Sequence, residues 1–240
     1  LSKIKKVVFD IEGTLFMQLE PLHFRCYIQA AFNLTRQTIS FEEIVAHEPQ
    51  VIGGGELIVS RAVAEICHFA TSPEALFAEK ERLFAIESAS AHIWFRPGVE
   101  QFLADIRELG IPMATASVTP RAKGLRYLEM LSINEYIHPK NWVFLEDVQT
   151  PQLVHPTKRH VHAHLMRMRV IAGNEMLVIG DSVSDVVEAR AAGCHVAVFP
   201  VFRESFVLQK LVAAGATRIF GGFEEVRAGG LIHAIESGVT

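Results

Sequence analysis

Short apolar runs, each stopped by a small or acidic residue, alternate along the chain with stretches of helical spacing. The first run is Val7-Val8-Phe9, which leads directly into Asp10-Ile11-Glu12-Gly13-Thr14. Such a run reads as a strand buried on both faces, as in a parallel sheet. Its polar end carries two readings. It is an ordinary turn, Asp and Gly being turn residues, or a ligand site, because open α/β sheets bind ligands outside the carboxyl ends of their strands. After Thr14 the period becomes helical. Leu22, Cys26, Ile28, Ala31 and Phe32 share one face, Phe41 to Val45 begin a helix behind Ser40 as N-cap, and Leu57 to Ile66 resume after Gly53-Gly54-Gly55. Ser72-Pro73 opens a further helix running to about Ser88.

Beyond Arg96-Pro97-Gly98 strands and helices alternate. Val99 to Leu109 is amphipathic and closed by Gly110; Ile111 to Ala116 is strand-like and ends at Ser117; Pro120 to Leu131 is helical. Trp142 to Leu145 predicts a strand, Val161 to Val170 a helix, Met176 to Ile179 a strand ending in Gly180-Asp181, Val183 to Ala192 a helix stopped by Gly193, and Val196 to Phe199 a strand. Arg218-Ile219-Phe220 predicts a last short strand. This alternation implies an α/β fold, a doubly wound, Rossmann-like parallel sheet. A structureless loop over residues 18–92 would be implausible inside such a domain. The expected organisation is therefore an α/β core of residues 1–17 and 93–240 with an all-helical cap, residues 18–92, inserted over the strand ends.

Composition narrows the class. Half of the 240 residues are hydrophobic and 21% are charged, which suits a packed core, and the net charge of −4 with no Lys/Arg run excludes a nucleic-acid or membrane-surface footprint. No apolar stretch approaches the ~18 residues of a spanning helix, Leu1-Ser2-Lys3 opens no signal-peptide pattern, and Cys26, Cys67 and Cys194 are odd in number and far apart. The expectation is a cytoplasmic protein with reduced thiols, a monomer or weak homo-oligomer, binding neither nucleic acid nor membrane.

In a parallel sheet four polar segments would meet at one edge: Asp10-x-Glu12-Gly13-Thr14, Ser117-x-Thr119, Lys158, and Gly180-Asp181-Ser182-x-x-Asp185. In order and local pattern they resemble the haloacid dehalogenase superfamily, in particular its subgroup with a helical cap that includes β-phosphoglucomutase and many small-metabolite phosphatases. Stretches such as Glu20-Pro21-Leu22-His23-Phe24-Arg25 are similar as well. The chemistry explains the residue types, because an attacking carboxylate and a phosphate monoester repel unless a cation screens both. The resemblance implies Asp10 as nucleophile and Glu12 as acid and base. It implies Mg²⁺ held by Asp10, the backbone carbonyl of Glu12 and Asp181, with Asp185 one turn on reaching a metal-bound water or steadying a ligand. Ser117 and Lys158, with Thr119, would bind the phosphoryl oxygens.

Two departures from the pattern carry information. Glu12 stands where phosphatases and phosphomutases of the superfamily usually have Asp; it offers the same group up to about 1.5 Å further out and is similar to the form found in enolase-phosphatases. Lys158 lies in His155-Pro156-Thr157-Lys158-Arg159-His160, which lacks the second proline of Lys-Pro-x-Pro, so it reads either as the motif lysine or as a solvated helix-start lysine. His23 is substrate-facing by resemblance and otherwise a core or surface histidine; Thr119 binds phosphate or caps the helix beginning at Pro120. The His155–His164 cluster completes no known zinc motif. The expected function is a phosphatase of small phosphorylated metabolites, with a sugar phosphate the leading class. The runner-up is a phosphomutase, disfavoured because Val51-Ile52-Gly53-Gly54-Gly55-Glu56 has no basic residue to grip a second phosphate. A third reading is a non-catalytic metabolite-binding module on the same fold.

Overall fold

Among the described residues five parallel strands, each fully or almost fully buried, form the centre of the molecule: β1 (Lys6–Phe9), β2 (Met113–Ser117), β3 (Trp142–Phe144), β4 (Met176–Gly180) and β5 (His195–Val198). The structure is a computed structural model and describes residues 3–153 and 156–238. The strand order is β3-β2-β1-β4-β5, so successive connections run one way from β1 to β3 and the other way from β4 to β5. That reversal leaves a crevice between the ends of β1 and β4, where open α/β sheets bind their ligands. The register there is tight: Phe9 pairs with Ile179, and Asp10 N donates to Ile179 O at 2.9 Å.

Helices cover both faces of the sheet. On one side α5 (Val99–Glu108), α6 (Arg121–Met130) and α10 (Ala228–Ser237) pack on Val7, Phe9, Leu177 and Ile179. Phe9, Phe102, Phe199 and Phe223 interleave there, the last two stacked at 3.9 Å. The other side takes α7 (Lys158–Arg169), α8 (Val183–Ala191) and α9 (Ser205–Ala213) against Val8, Val178 and Val196. The alternation of strand residues between these two clusters is the period-2 geometry of a pleated strand.

The helical block comprises α1 (Glu20–Thr35), α2 (Phe41–His47), α3 (Glu56–Ile66) and α4 (Pro73–Ser88). Local chemistry sets its boundaries. Ser40 and Glu43 form a reciprocal capping box, the Ser72 hydroxyl accepts from Ala75 N, and Pro73 occupies the first turn. Within the described residues no strand occurs between Gln18 and His92. The block has its own apolar centre around Tyr27, Ala31, Ile44, Val63 and Leu76. It is joined to the core by an aromatic seam in which Phe24 and Phe41 meet Phe202 and Phe206 at 4.6–5.8 Å.

Three elements differ from the sequence reading. Residues 218–220 make a single parallel bridge, Val198 to Ile219, in place of a sixth strand. Helix α7 begins at Lys158, three residues before Val161, because Thr157 N donates to His160 Nδ1 at 3.0 Å and closes the first turn. Helices α9 and α10 follow β5 where the periodicity predicts neither. His155 lies outside the described residues.

Candidate active site

Three carboxylates converge on the crevice. Asp10 follows β1, Asp181 follows β4 and Asp185 occupies the first turn of α8, and each offers an oxygen that lies within 4.8 Å of the other two. Backbone turns make this approach possible. Gly13 has φ +77° and a Cβ there would meet Asp181 Oδ2 at 2.3 Å; at Gly180 it would meet Asp185 Cγ at the same distance. Ser182 N-caps α8 and binds Asp185 reciprocally, its hydroxyl donating to Asp185 Oδ2 at 2.6 Å, while the amides of Asp181 and Ser182 donate to the same oxygen at 3.1 Å.

Lys158 is the counter-charge. It is 1% exposed, and its Nζ lies 2.9 Å from Asp10 Oδ2 and 2.6 Å from Asp185 Oδ1. The solvated-lysine reading is thereby excluded: the first turn of α7 aims this side chain into the crevice. Asp10 and Asp185 hold Lys158 charged, against burial that would discharge it. Three carboxylates nevertheless face one ammonium, an excess of two negative charges. Burial accordingly pushes Asp10 up to about 7 and Asp181 well above the carboxylate range, the latter with added repulsion from Glu20, Asp185 and Asp10. Asp181 Oδ2 is buried without a hydrogen-bond partner. An orphaned carboxylate oxygen, an all-oxygen donor set and a deficit of two positive charges fit a hard divalent cation.

Glu12 is fixed from two sides. Thr119 Oγ1 donates to Glu12 Oε1 at 2.7 Å and His23 Nε2 lies 3.1 Å from Glu12 Oε2. Ser117, at the end of β2, supports Thr119: its hydroxyl donates to Thr119 Oγ1 at 3.0 Å and accepts from Thr119 N at 3.1 Å. The N-cap reading of Thr119 is overturned, because Pro120 is the residue before α6 and Thr119 spends its hydroxyl on Glu12. Burial alone would raise Glu12, but His23, Lys123 and Thr119 together hold it below the usual carboxylate range. Burial lowers His23 against the upward pull of Glu12, and its ring stacks on Phe84 with centroids 4.1 Å apart.

A cavity of about 80 Å³ opens above Asp10 and Glu12, bounded by Ser117 and Thr119 on the core side. Across it stand His23, Tyr27, Gly53-Gly54-Gly55, Glu56 and Lys80 from the helical block. The structure thus brings Asp10, Glu12, Ser117, Thr119, Lys158, His23, Asp181 and Asp185 into one crevice. Sequence reasoning gave no role to three further neighbours. Glu20, at the first turn of α1, is raised to about 8 by burial with Asp10 and Glu12 contributing. Lys80 is buried and paired with Glu56 and Glu81 at 3.3 and 2.6 Å. Lys123 lies in the first turn of α6, four residues after Thr119. Two of them stand in quoted or adjacent segments, Glu20 three residues before His23 and Lys123 four after Thr119, so helical spacing from a motif residue was the available signal. Among the described residues no helix is long and apolar enough to cross a membrane.

Comparison with known proteins agrees with this geometry. The sequence profile of the haloacid dehalogenase-like hydrolases matches residues 4–193. A phosphoglycolate phosphatase of Photobacterium profundum is 30% identical over 199 residues, covering 80% of this chain and 82% of that protein. Protein CbbY of Cereibacter sphaeroides is 26% identical and aligns over 95% of both chains. Among solved structures, a conserved haloacid dehalogenase-like protein of unknown function from Agrobacterium tumefaciens superposes with a TM-score of 0.75 at 18% identity, covering 99% of this chain and 100% of the other.

Proposed function

The chain belongs to the haloacid dehalogenase-like hydrolases, and from that premise we propose that it is a phosphatase of small phosphorylated metabolites acting through Asp10, with Mg²⁺ held at the three-aspartate cluster. The observation that carries the reading is the buried set Asp10–Lys158–Asp185 beside Glu12. It supports a reading in which Asp10 is the nucleophile, Lys158 the cation for the transferring oxygens and Glu12 the acid–base group.

Asp10 and Asp181, with the Glu12 backbone carbonyl, would hold the ion, and Asp185 would complete the cluster while its oxygens steady Lys158 and the Asp181 turn. The ion supplies charge neutralisation that lets a carboxylate approach a phosphate. An Asp10 oxygen forms a bond to phosphorus as the bond to the leaving oxygen breaks, and Glu12 gives that oxygen its proton. Lys158 and Ser117 hold the equatorial oxygens, where charge accumulates. Water then attacks phosphorus, its proton passes to Glu12, and Asp10 is freed. The arriving phosphoryl charge raises Glu12's affinity for a proton, which offsets the pull of His23 and Lys123. Residues 18–92 act as the cap that bounds the cavity.

Two substrate classes deserve the first test: sugar phosphates, expected from the resemblance, and phosphoglycolate, the substrate in the name of the Photobacterium relative. Phosphate release from a panel of both, with Mg²⁺ or EDTA, should require the metal and vanish in Asp10→Asn. Turnover that survives either change would sink the mechanism. Conversion of hexose 1-phosphate to 6-phosphate without phosphate release would favour the mutase.

A further inference from the structure

We infer that Lys123 reads a second anionic group on the substrate, so that the preferred substrates are short phosphoesters carrying a carboxylate-sized anion a few atoms from the phosphoryl group. The inference rests on the phosphatase reading and adds the identity of the leaving group's far end.

Charge accounting around the cavity singles out this lysine. Of the three basic side chains that line it, Lys80 is already neutralised by Glu56 and Glu81. His23 is committed to Glu12 and lowered by burial. Lys123 is half-buried, and among the described residues its ammonium makes no ion pair; it lies over the faces of Phe84 and Tyr127, 4.4 and 5.9 Å from the ring centroids. Aromatic faces hold an ammonium in place yet leave its N–H donors free for a stronger acceptor. Lys123 lines the cavity together with Thr119, whose hydroxyl holds Glu12, the group that would protonate the leaving oxygen, whereas Lys158 contacts Asp10 and Asp185 and would serve the phosphoryl oxygens.

Size and lining then limit the tail. The cavity is small, about 80 Å³, and a phosphoryl group with its leaving oxygen would fill much of it. The side chains of the remaining wall are mostly apolar or acidic (Phe24, Val51, Val59, Glu20 and Glu56), with the Tyr27 hydroxyl spent on Glu56 O and only backbone offered by the Gly53-Gly54-Gly55 turn. A neutral polyol tail finds few uncommitted donors there, while a carboxylate finds Lys123. A charge-assisted hydrogen bond in a half-buried place favours its partner by about ten- to hundredfold.

The test compares 2-phosphoglycolate with 2-hydroxyethyl phosphate, which replaces the carboxylate by a neutral hydroxymethyl group at equal length. Binding of each is measured by calorimetry with Mg²⁺ in the Asp10→Asn protein, with and without Lys123→Met and Lys123→Arg. Expected is about ten- to hundredfold tighter binding of phosphoglycolate, lost in Lys123→Met and largely kept in Lys123→Arg. Any general effect of Lys123 on Glu12 or on folding acts on both ligands and cancels in the ratio. Equal affinities with Lys123 present, or a ratio that Lys123→Met leaves unchanged, would overturn the inference. Turnover of the same two esters by the protein with Asp10 intact is read separately. A binding preference without phosphate release would count against the phosphatase reading and leave only the Lys123–carboxylate contact standing.

Discussion

Replacing Lys158 by Met tests the electrostatic design of the site most directly. The substitution keeps much of the stem and removes a buried ammonium that touches Asp10 at 2.9 Å and Asp185 at 2.6 Å. Each charged hydrogen bond contributes about 1.5–3 kcal/mol, and breaking a buried pair from one side costs about 3–5 kcal/mol because the remaining charges lose their partner. At pH 7 in EDTA the variant should therefore unfold about 3–5 kcal/mol more easily, or about 6–20 °C lower in Tm for a chain of this size. The sign with pH follows from the shifts. Lys158 is raised, so its contribution is fully present below the ordinary lysine value near 10.5, and Asp185 is lowered, so its contribution disappears as pH falls through its depressed folded value. The gap between variant and parent should be widest near neutrality and close in acid. Saturating Mg²⁺ should restore most of the lost stability, since binding to the native state alone adds about 2.7 kcal/mol at a hundredfold excess over Kd. On the proposed mechanism phosphate release should still fall about 10²–10³-fold, because the metal would not replace Lys158 as a donor to the transferring oxygens. Urea unfolding at several pH values, in EDTA and in Mg²⁺, reads the first part, and a phosphate assay the second. Equal midpoints in EDTA, or activity within tenfold of the parent, would refute the assignment of Lys158 to this cluster.

Two further substitutions probe the frame. Lys6 is buried in β1 with an unpartnered Nζ, and burial, with Arg169 nearby, lowers it to about 8. Its charge is thus a cost to the folded state at neutral pH. Discounting the fall from 10.5 to about 8 for residual solvent contact, Lys6→Met should stabilise the protein by about 1–2 kcal/mol at pH 7. The gain should shrink between pH 8 and 10.5 as the lysine discharges in the folded state, and a variant less stable at pH 7 would contradict it. Gly53 has φ +70°, and a Cβ there would meet Ser182 Oγ at 2.1 Å, while a Cβ at neighbouring Gly55 meets nothing within 4 Å. Gly53→Ala should lift the 51–55 turn from the Asp181–Ser182 turn, costing about 1–3 kcal/mol and lowering kcat/KM. Gly55→Ala should be nearly silent in both measurements, and equal effects at the two positions would argue against the contact.

Much of this site could be read before any coordinates because its parts are tied to strand ends. Val7-Val8-Phe9 and Met176-Leu177-Val178-Ile179 announce buried parallel strands, and the carboxylates that follow them must share an edge if the strands are neighbours. The β1–β4 pairing makes them so. Helix α4 likewise follows from Ser72-Pro73, whose capping is local and needs no tertiary partner. What depends on long-range contacts was less legible. The burial of Lys158 is set by Asp10, 148 positions earlier, and by Asp185, so its altered motif left two readings open. Helix α10 opens on Ala228-Gly229-Gly230, where two glycines lower helix propensity by about 1 kcal/mol each; Leu231, Ile232 and Ile235 secure it by packing into the core.

The glutamate at position 12 shows why a local departure from a motif is judged by its surroundings. A side chain one methylene longer than the usual aspartate has more rotamers to lose, and its carboxylate must reach the leaving oxygen in one place. Here the two oxygens are claimed separately, Oε1 by Thr119 and Oε2 by His23, from opposite sides of the cavity. The core half of this clamp is anchored through Ser117 to β2; the helical half is anchored by the His23–Phe84 stack between α1 and α4. The carboxylate is thus held by contacts from both the sheet edge and the helical block, and if Glu12 is the proposed acid–base group, its orientation depends on both.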